Sequence, residues 1–206
     1  MSFPVMWAIA IILAFILFVI IFFINFYRDP KRKTPKGNII VAPADGRVIS
    51  IIKTKKDNIK VSKGILGKIQ TYTKEINDEC YVISIFMSPF DVHINRSPVT
   101  GTVKSIKHSK GRFFRAYDFE KSFQNEKNEI VIQNKTMKVK VIQIAGFLAR
   151  RIICNVKPNQ KVNIGSKIGM IALGSQTTIV LPKNMRIKTH INQKVIGGET
   201  ILAVPK

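Results

Sequence analysis

The 206-residue sequence has few cysteines, few acidic residues, and no charged residue among its first 27 positions. Two cysteines exclude a disulfide-stapled scaffold. Only 12 Asp and Glu stand against 34 Lys and Arg, and the net charge of +22 leaves nucleic acid, anionic lipid and acidic metabolites open as partners. Because 46% of the residues are hydrophobic, intrinsic disorder is also excluded. The chain therefore divides into an uncharged apolar head and a basic remainder that is large enough for one domain.

The apolar head is long enough to cross a bilayer. Some twenty helical residues, at about 1.5 Å rise each, span the ~30 Å hydrocarbon core. No Lys or Arg precedes residues 3–26, and no small-residue cleavage site follows them, so a signal peptide is disfavoured. We predict a retained transmembrane helix over residues 1–27, with Trp7 and Tyr27 near the two interfaces.

A basic juxtamembrane linker, residues 28–37, follows this helix. Five Lys or Arg and one Asp lie within residues 28–36. The positive-inside rule places the following domain, residues 38–206, on the cytoplasmic side of the cell membrane, whether the protein is single-pass or peripheral. The same cations attract anionic headgroups, by about 1 kcal/mol each near the surface. In that compartment Cys80 and Cys154 are expected to be reduced thiols.

The remainder consists of short β-rich runs rather than helical patterns. Val and Ile dominate the runs, and Gly, Pro, Asn and Asp bound them. The runs are residues 37–42, 46–52, 80–87, 101–106, 128–133 and 137–145. We predict a mainly β domain with minor α content, an antiparallel β-sandwich or barrel, with one short helix over residues 113–123.

One internal echo supports this fold class. Residues 41–51 (VAPADGRVISI) resemble residues 96–106 (RSPVTGTVKSI), 55 positions later. The shared turn pattern predicts two similarly placed hairpins. Residues 156–174 resemble a turn of barrel-sandwich domains such as lipoyl carriers, which supports a compact β domain without specifying its chemistry.

Three segments could carry chemistry. Residues 86–98 (FMSPFDVHINRSP) place several polar side chains directly after an apolar strand, and residues 172–182 and 41–48 place Gly174-Ser175 and Asp45 beside apolar runs. Each also has an ordinary explanation as a turn or a solvated loop. The polar residues of the first segment include Asp91, His93, Asn95 and Arg96.

Taken together, the soluble part resembles the phosphatidylserine decarboxylase family, in its short membrane-bound form. The matching stretches occur in the family order and cover most of residues 40–182. They are residues 43–48 (PADGRV), 88–103 (SPFDVHINRSPVTGTV), 125–132 (NEKNEIVI), 143–154 (QIAGFLARRIIC) and 165–182 (GSKIGMIALGSQTTIVLP). The DVHxNRxPxxG run and a late Gly-Ser pair are specific when they occur together.

The resemblance implies a zymogen that makes its own cofactor. Autocatalytic cleavage between Gly174 and Ser175 would produce a β chain of residues 1–174 and an α chain of residues 175–206, with Ser175 converted to a covalent pyruvoyl group. Ser175 Oγ would attack the Gly174 carbonyl, and elimination and hydrolysis would follow. The pyruvoyl carbonyl would form a Schiff base with the amine of phosphatidylserine and act as an electron sink for CO2 release. Phosphatidylethanolamine, a product of phospholipid biosynthesis, would then leave.

The resemblance also implies roles for five further residues. His93 matches a base or proton donor, and Asp45 matches an acid that orients or activates a histidine in self-cleavage. Arg96 stands where longer family members have a second histidine, and because arginine stays protonated it cannot be a base. We expect Arg96, Asp91 and Asn95 to bind substrate, with Asp91 alternatively capping its loop.

Other readings remain. A nonenzymatic, membrane-anchored β-domain of the lipoyl-carrier or adaptor type explains the helix and the turns but leaves residues 86–98 without a role. No nucleic-acid-binding pattern is present, and the histidines at 93, 108 and 190 lack metal-ligand spacing. We expect His108 to be solvated and His190 to lie on a strand face. Either lipid contact or a plain basic surface would explain residues 111–119, Arg150 and Arg151. The sequence is compatible with both a monomer and a homo-oligomer.

Overall fold

The computed structural model describes residues 3–55, 58–62, 68–72, 75–110, 126–146, 151–172 and 175–206. The apolar head forms a single helix, α1 (Phe3–Phe26), whose side chains are exposed over most of its length. Among the described residues, α1 alone has the length and apolar composition needed to cross a membrane. The helix ends where the residues Tyr27 to Pro30 bring a polar, proline-containing sequence that cannot continue it.

The described remainder is built from sixteen strands. They are β1 (Ile40–Val41), β2 (Gly46–Thr54), β3 (Asn58–Ser62), β4 (Lys68–Tyr72), β5 (Cys80–Met87), β6 (Ile94–Arg96), β7 (Gly101–Ser109), β8 (Lys127–Gln133), β9 (Lys138–Ile144), β10 (Ile152–Cys154), β11 (Lys161–Val162), β12 (Lys167–Ile171), β13 (Ser175–Pro182), β14 (Met185–Ile187), β15 (Lys194–Val195) and β16 (Ile201–Pro205). All six predicted runs form strands, so the fold-class prediction is confirmed.

The strands form one large sheet and smaller ones, and every described pairing is antiparallel. The large sheet curls into a half-barrel and has the order β11-β7-β8-β9-β13-β5-β2-β15. Two three-stranded sheets, β1-β16-β14 and β10-β12-β6, pack against it, and β3 pairs with β4. Buried side chains such as Ile83, Ile130, Val141 and Ile179 fill the space between the layers. Their burial, at about 25 cal/mol per Å² of apolar surface, is the main force that holds the layers together.

The predicted echo extends to a duplication of the whole domain. The large sheet reads as two matching halves, because β11-β7-β8-β9 from one edge corresponds to β15-β2-β5-β13 from the other. The two three-stranded sheets correspond in the same way. A second repeat, Asn-Gln-Lys-Val, begins at Asn159 and again at Asn192, and both asparagines have positive φ, 66° and 69°. We call the half with β2 and β15 the first arm and the half with β7 and β11 the second arm.

Hydrogen bonds repeat between the arms as closely as the strands do. Val48 and Val103 each accept an N–H from the asparagine of the repeat, at 2.7 and 2.8 Å. The arms also bond to each other reciprocally. The N–H of Val41 donates to the carbonyl of Pro98 at 3.0 Å, and the N–H of Arg96 donates to that of Pro43 at 2.8 Å. The echo is therefore a structural pseudo-twofold, in which each arm completes the other.

Glycine is required where each arm enters the large sheet. A Cβ on Gly46, whose φ is +145°, would lie 2.1 Å from the carbonyl oxygen of Phe86. At the matching position, a Cβ on Gly101 would lie 2.6 Å from the carbonyl oxygen of Gln133. Both neighbours are backbone atoms of a paired strand, so neither can move without breaking the sheet.

One sequence prediction was wrong, and others concern residues that the structure does not describe. His190 lies in the exposed loop between β14 and β15, so the prediction of a strand-face position was wrong. Residues 188–193 form a loop with a turn at residues 191–192, so the chain is not extended at His190. The short helix over 113–123, the aromatic stretch 111–119 and Arg150 lie outside the described residues, whereas Arg151 is exposed.

Candidate active site

Three neighbouring strand ends meet at one edge of the large sheet. Strand β13 starts at Ser175, directly opposite Met87, the last residue of β5. On the other side of β5, Arg47 near the start of β2 lies opposite Phe86. This register places Asp45, which precedes β2, at the same edge as the start of β13. Gly174 lies outside the described residues.

A small apolar cluster lies beneath this edge. It consists of four buried side chains, Ala44, Met87, Ala145 and Ile171, and Ile152 packs against them. Their strands belong to different sheets, so the cluster joins the large sheet to β10 and β12. Water is excluded from the floor of the site, which strengthens any electrostatic interaction made above it.

The loop after β5 is held by its own aspartate. Asp91 Oδ2 accepts the N–H of Ser88 at 2.8 Å, and the N–H of Asp91 donates to the Ser88 carbonyl at 3.0 Å. This is the loop cap that was one of the two expectations for Asp91. The capped turn directs the next residues back into the domain, where β6 begins at Ile94.

His93 is fully buried and is held in one tautomer. Its Nδ1 lies 2.9 Å from the carbonyl oxygen of Asp91. A carbonyl only accepts, so Nδ1 carries the proton and Nε2 presents a lone pair. Nε2 is buried without a hydrogen-bond partner among the described residues. Burial lowers the pKa of His93 below its ordinary value, although the Asp91 carbonyl opposes the change, so a neutral imidazole is favoured.

The last residue of the apolar helix covers this histidine. The rings of Phe26 and His93 are 4.1 Å apart between centroids, at an interplanar angle of 33°. Phe26 is 1% exposed and packs with Val92, Ile94 and Met170. The end of α1 is therefore part of the wall of the site rather than a detached anchor.

Asn95 belongs to a buried chain of amides that reaches β13. Its Nδ2 donates to Thr177 Oγ1 at 3.0 Å, and its Oδ1 accepts from Gln143 Nε2 at 2.8 Å. Gln143 Oε1 in turn accepts from Asn128 Nδ2 at 2.8 Å. All four side chains are buried. Because buried amides are costly to leave unsatisfied, this chain fixes β6, β8 and β9 to the first residues of β13.

Asp45 is bound by an arginine from the segment after α1. Both carboxylate oxygens accept from Arg32 Nη2 at 2.9 Å, and Oδ1 also accepts the N–H of Gly197 at 2.8 Å. Burial raises the pKa of Asp45, while Gly197 and Arg32 oppose the rise. His93 is not among its described hydrogen-bond partners, so the role of Asp45 in activating a histidine stays a prediction.

Arg96 binds a carboxylate of the chain itself. Its guanidinium is paired with Asp29 and donates to the carbonyls of Gly165 at 3.0 Å and Pro30 at 3.2 Å. The residue is 8% exposed. The predicted carboxylate-binding ability is thus used by Asp29, and binding of substrate by Arg96 stays a prediction.

The segment of residues 28–36 lies along the domain as a strap. Besides the pairs made by Arg32 and Asp29, the N–H of Lys33 donates to Glu199 Oε1 at 2.8 Å. Thr34 packs so closely on Gly165, whose φ is +78°, that a Cβ there would lie 2.2 Å from Thr34 Oγ1. We name residues 28–36 the strap. It connects α1 to both Asp45 and Arg96.

The remaining histidines and the thiols lie elsewhere. His108 Nε2 is 2.7 Å from Glu126 Oε1 and half exposed, and Cys80 is buried with a pKa raised to about 11 by burial. Within the described residues, no three His, Cys, Asp or Glu side chains gather as a metal site requires.

The sequence did not identify four side chains of the site, which are Phe26, Arg32, Gln143 and Thr177. Gln143 carries a usable signal, because it is a polar residue between two isoleucines at the apolar end of β9. Arg32 carries none, since one cation among five in a basic segment is not distinguished by its neighbours.

Comparison with known proteins identifies the family. The family model described as phosphatidylserine decarboxylase matches residues 19–203. The chain belongs to the phosphatidylserine decarboxylase family. The curated "Putative archaetidylserine decarboxylase proenzyme" of Methanocaldococcus jannaschii is 42% identical over 91% of this chain and 92% of its own length. The "Phosphatidylserine decarboxylase proenzyme" of Chlorobium phaeobacteroides is 40% identical over 89% of this chain and 79% of its length. That of Prosthecochloris aestuarii is 41% identical over 91% and 79%. The match favours an enzyme over a carrier or adaptor module.

Proposed function

We propose that the protein is a membrane-anchored, self-processing decarboxylase of phosphatidylserine, with a pyruvoyl group derived from Ser175. The observation that carries the proposal is the convergence at one sheet edge. Strand β13 begins at Ser175 opposite Met87, and six residues after Met87 the chain presents His93, whose Nε2 is buried and unpartnered among the described residues. The N–H of Ile171, a residue of the apolar cluster beneath this edge, donates to the carbonyl of His93 at 3.3 Å, which supports His93 as the base that acts on Ser175.

In the self-cleavage step, Ser175 Oγ adds to the Gly174 carbonyl and the acyl group moves from nitrogen to oxygen. The hydroxyl proton and then the α-proton of Ser175 must be accepted by a base. His93 suits this task because its Nε2 holds a free lone pair and burial keeps the ring neutral near pH 7. Asp45, which Arg32 holds at the same edge, would orient or activate the histidine in this step.

The residues at this edge also fit a pyruvoyl group. An apolar floor of Ala44, Met87, Ala145 and Ile171 excludes water, and the Nε2 of His93, unpartnered among the described residues, provides a buried acceptor for a reacting proton. When present, the group supplies a conjugated carbonyl that accepts electrons as CO2 leaves. His93 would return the proton to the product, because the same Nε2 that accepts a proton in one step can donate it in the next.

The sheet holds the proposed α chain after the break. Strand β13 lies between β5 and β9 and pairs with both along most of its length. Of the strands that follow it, β15 pairs with β2 and β16 pairs with β1 of the proposed β chain, and β14 pairs with β16. A cut before Ser175 leaves the pairings of residues 176–182 in place, so residues 175–206 would stay bound to residues 1–174.

The serine headgroup is the shared element of the substrates named for the relatives. Two relatives are named for phosphatidylserine and one for archaetidylserine, which implies the same reacting amino acid on different lipids. We take phosphatidylserine as the substrate and phosphatidylethanolamine as the product. The apolar helix supports the proposal that α1 spans the bilayer, and the basic strap supports a cytoplasmic position of the domain.

The test is replacement of Ser175 by alanine in the full chain, in detergent micelles with phosphatidylserine. The wild type should give two pieces of 174 and 32 residues on denaturation, the smaller one blocked at its N-terminus. Ser175→Ala should give one piece and release no CO2. Ser105→Ala, at an exposed position of β7, is the matched control and should behave as wild type. Release of CO2 by an uncleaved Ser175→Ala chain would refute the mechanism.

A further inference from the structure

Phe90 is the part of the active-site loop that the proposed chemistry does not use. Its side chain is 75% exposed, the greatest exposure among the large hydrophobic side chains that the structure describes. A single exposed aromatic side chain is common on a protein surface and by itself indicates no partner. The position of Phe90 relative to α1 makes it informative.

The exposed ring is continuous with the surface of α1. The rings of Phe90 and Phe22 meet edge to face, 6.4 Å apart between centroids. Phe22 precedes the helix end by four residues, or about 6 Å of helix rise. Phe90 therefore stands alongside the last turn of α1 rather than beyond it.

An arginine fixes this arrangement. Arg28 Nη2 donates to the carbonyl of Phe90 at 2.7 Å, and Nη1 donates to the carbonyl of Asn25 at 2.6 Å. One guanidinium thus binds a carbonyl at the helix end and ties the loop to it. These two hydrogen bonds fix the position of Phe90 along the axis of α1.

The side chains that follow the helix end have the order of a membrane boundary. Next to the apolar rings comes Tyr27, 57% exposed, and then the exposed Lys31, Lys33 and Lys36 of the strap. Aromatic residues followed by cations are typical of the level of lipid headgroups. This charge order favours an anionic bilayer over a second protein as the partner.

We propose that Phe90 and the last turn of α1 form one surface that inserts into the bilayer and seats the active-site loop at the headgroup level. The inference rests on the proposed spanning of the bilayer by α1. Because the ring of His93 packs against that of Phe26, with 4.1 Å between the centroids, the depth of the reactive imidazole is fixed by the same surface. A serine headgroup then lies beside the loop that carries His93 without its lipid leaving the membrane.

Tryptophan quenching tests this placement without requiring turnover. The sequence has one tryptophan, Trp7 in α1. A chain that keeps Trp7 therefore reports on the helix, and Trp7→Phe/Phe90→Trp reports on the loop. Each full-length chain carries Ser175→Ala and is placed in vesicles of phosphatidylglycerol and phosphatidylcholine with bromine on the acyl chains. Trp7→Phe/Lys135→Trp, in the exposed turn between β8 and β9, is the matched control.

We expect quenching at positions 7 and 90, with bromine on the upper acyl chain acting most strongly at 90, and none at 135. Quenching at 7 without quenching at 90 would overturn this inference alone. Absence of quenching at 7 would remove α1 from the bilayer and overturn the membrane anchor as well. Blue-shifted but unquenched emission at 90 would indicate burial against a second protein and would also overturn the inference.

A kinetic readout distinguishes membrane contact from a purely structural role. Phe90→Asn, in the cleaved enzyme, should raise the apparent KM for phosphatidylserine in vesicles roughly tenfold, because an apolar anchor is lost. Its kcat, and its activity on a monomeric short-chain serine phospholipid, should be unchanged. An equal loss on both substrates would indicate a damaged site rather than a lost membrane contact and would count against the inference.

Discussion

Replacing Asp45 by threonine should separate the fold from the proposed chemistry, because the protein already contains the same turn with threonine in it. Asp45 Oδ1 accepts the N–H of Gly197 at 2.8 Å in the first arm. At the corresponding place in the second arm, Thr100 Oγ1 accepts the N–H of Ile164 at 3.0 Å. Asp45→Thr can therefore keep the turn bond. It loses the carboxylate and the bidentate contact with Arg32.

The structure sets the size of the two effects. The Arg32–Asp45 contact consists of two hydrogen bonds of 2.9 Å between side chains that are 10% and 15% exposed. A hydrogen bond to a charged group contributes about 1.5–3 kcal/mol net, and removing a carboxylate destabilised by burial offsets part of the loss. We expect a net cost of about 1–3 kcal/mol, or a decrease in Tm of roughly 3–10 °C. Self-cleavage should slow on the order of 10²-fold or more.

The assay follows thermal unfolding and chain splitting in the same micellar sample, the latter by intact mass under denaturing conditions. Thr100→Val is the matched control, because it removes the corresponding turn bond in the arm that has no acidic residue at this position. It should cost about 1 kcal/mol and leave the rate of splitting unchanged. A folded Asp45→Thr chain that splits as fast as the wild type would show that the carboxylate has no part in cleavage.

Three further changes test other parts of the site. Burial lowers the pKa of His93 below 6.5, so the unfolded chain binds a proton that the native chain excludes, and stability should fall as pH drops below that value. His93→Gln should flatten this slope in thermal unfolding between about pH 7.5 and 5; an unchanged slope would contradict a neutral buried imidazole. Gln143→Leu should cost roughly 2–5 kcal/mol in thermal unfolding, because two buried amide groups lose their partner. Gly46→Ala should prevent accumulation of soluble, folded protein, because its Cβ would lie 2.1 Å from a backbone oxygen, whereas Gly37→Ala, with 3.8 Å to its nearest neighbour, should only add backbone strain.

The strands could be predicted from the sequence because their signals are local. Strand β5 (Cys80–Met87) begins and ends where its apolar run does, and β2 begins at Gly46, where the turn pattern ends. The duplication was visible in part through the echo of residues 41–51 and 96–106. Its other half, the repeat of Asn-Gln-Lys-Val at 159 and 192, was equally present in the sequence and was missed.

The contacts that shape the site could not be predicted in the same way. Phe26 reaches His93 only because α1 ends on the domain surface, and Arg32 reaches Asp45 only because the strap lies along that surface. Neither pair is encoded by a spacing. Sequence patterns specify which residues form a strand or a turn, whereas these contacts depend on how one element packs on another.

The differences between the arms indicate where function was added to a symmetric fold. In the second arm, β8 and β9 are joined by a tight turn that Asn134 and Met137 close with a 3.0 Å bond. In the first arm, the corresponding strands β5 and β13 pair just as continuously, but residues 88–174 separate them in the chain. The start of β13 is thus held by its neighbours on both sides, without a turn to close it. A sheet built in this way can have a chain end at Ser175 while keeping its ladder, which a self-cleaving enzyme requires.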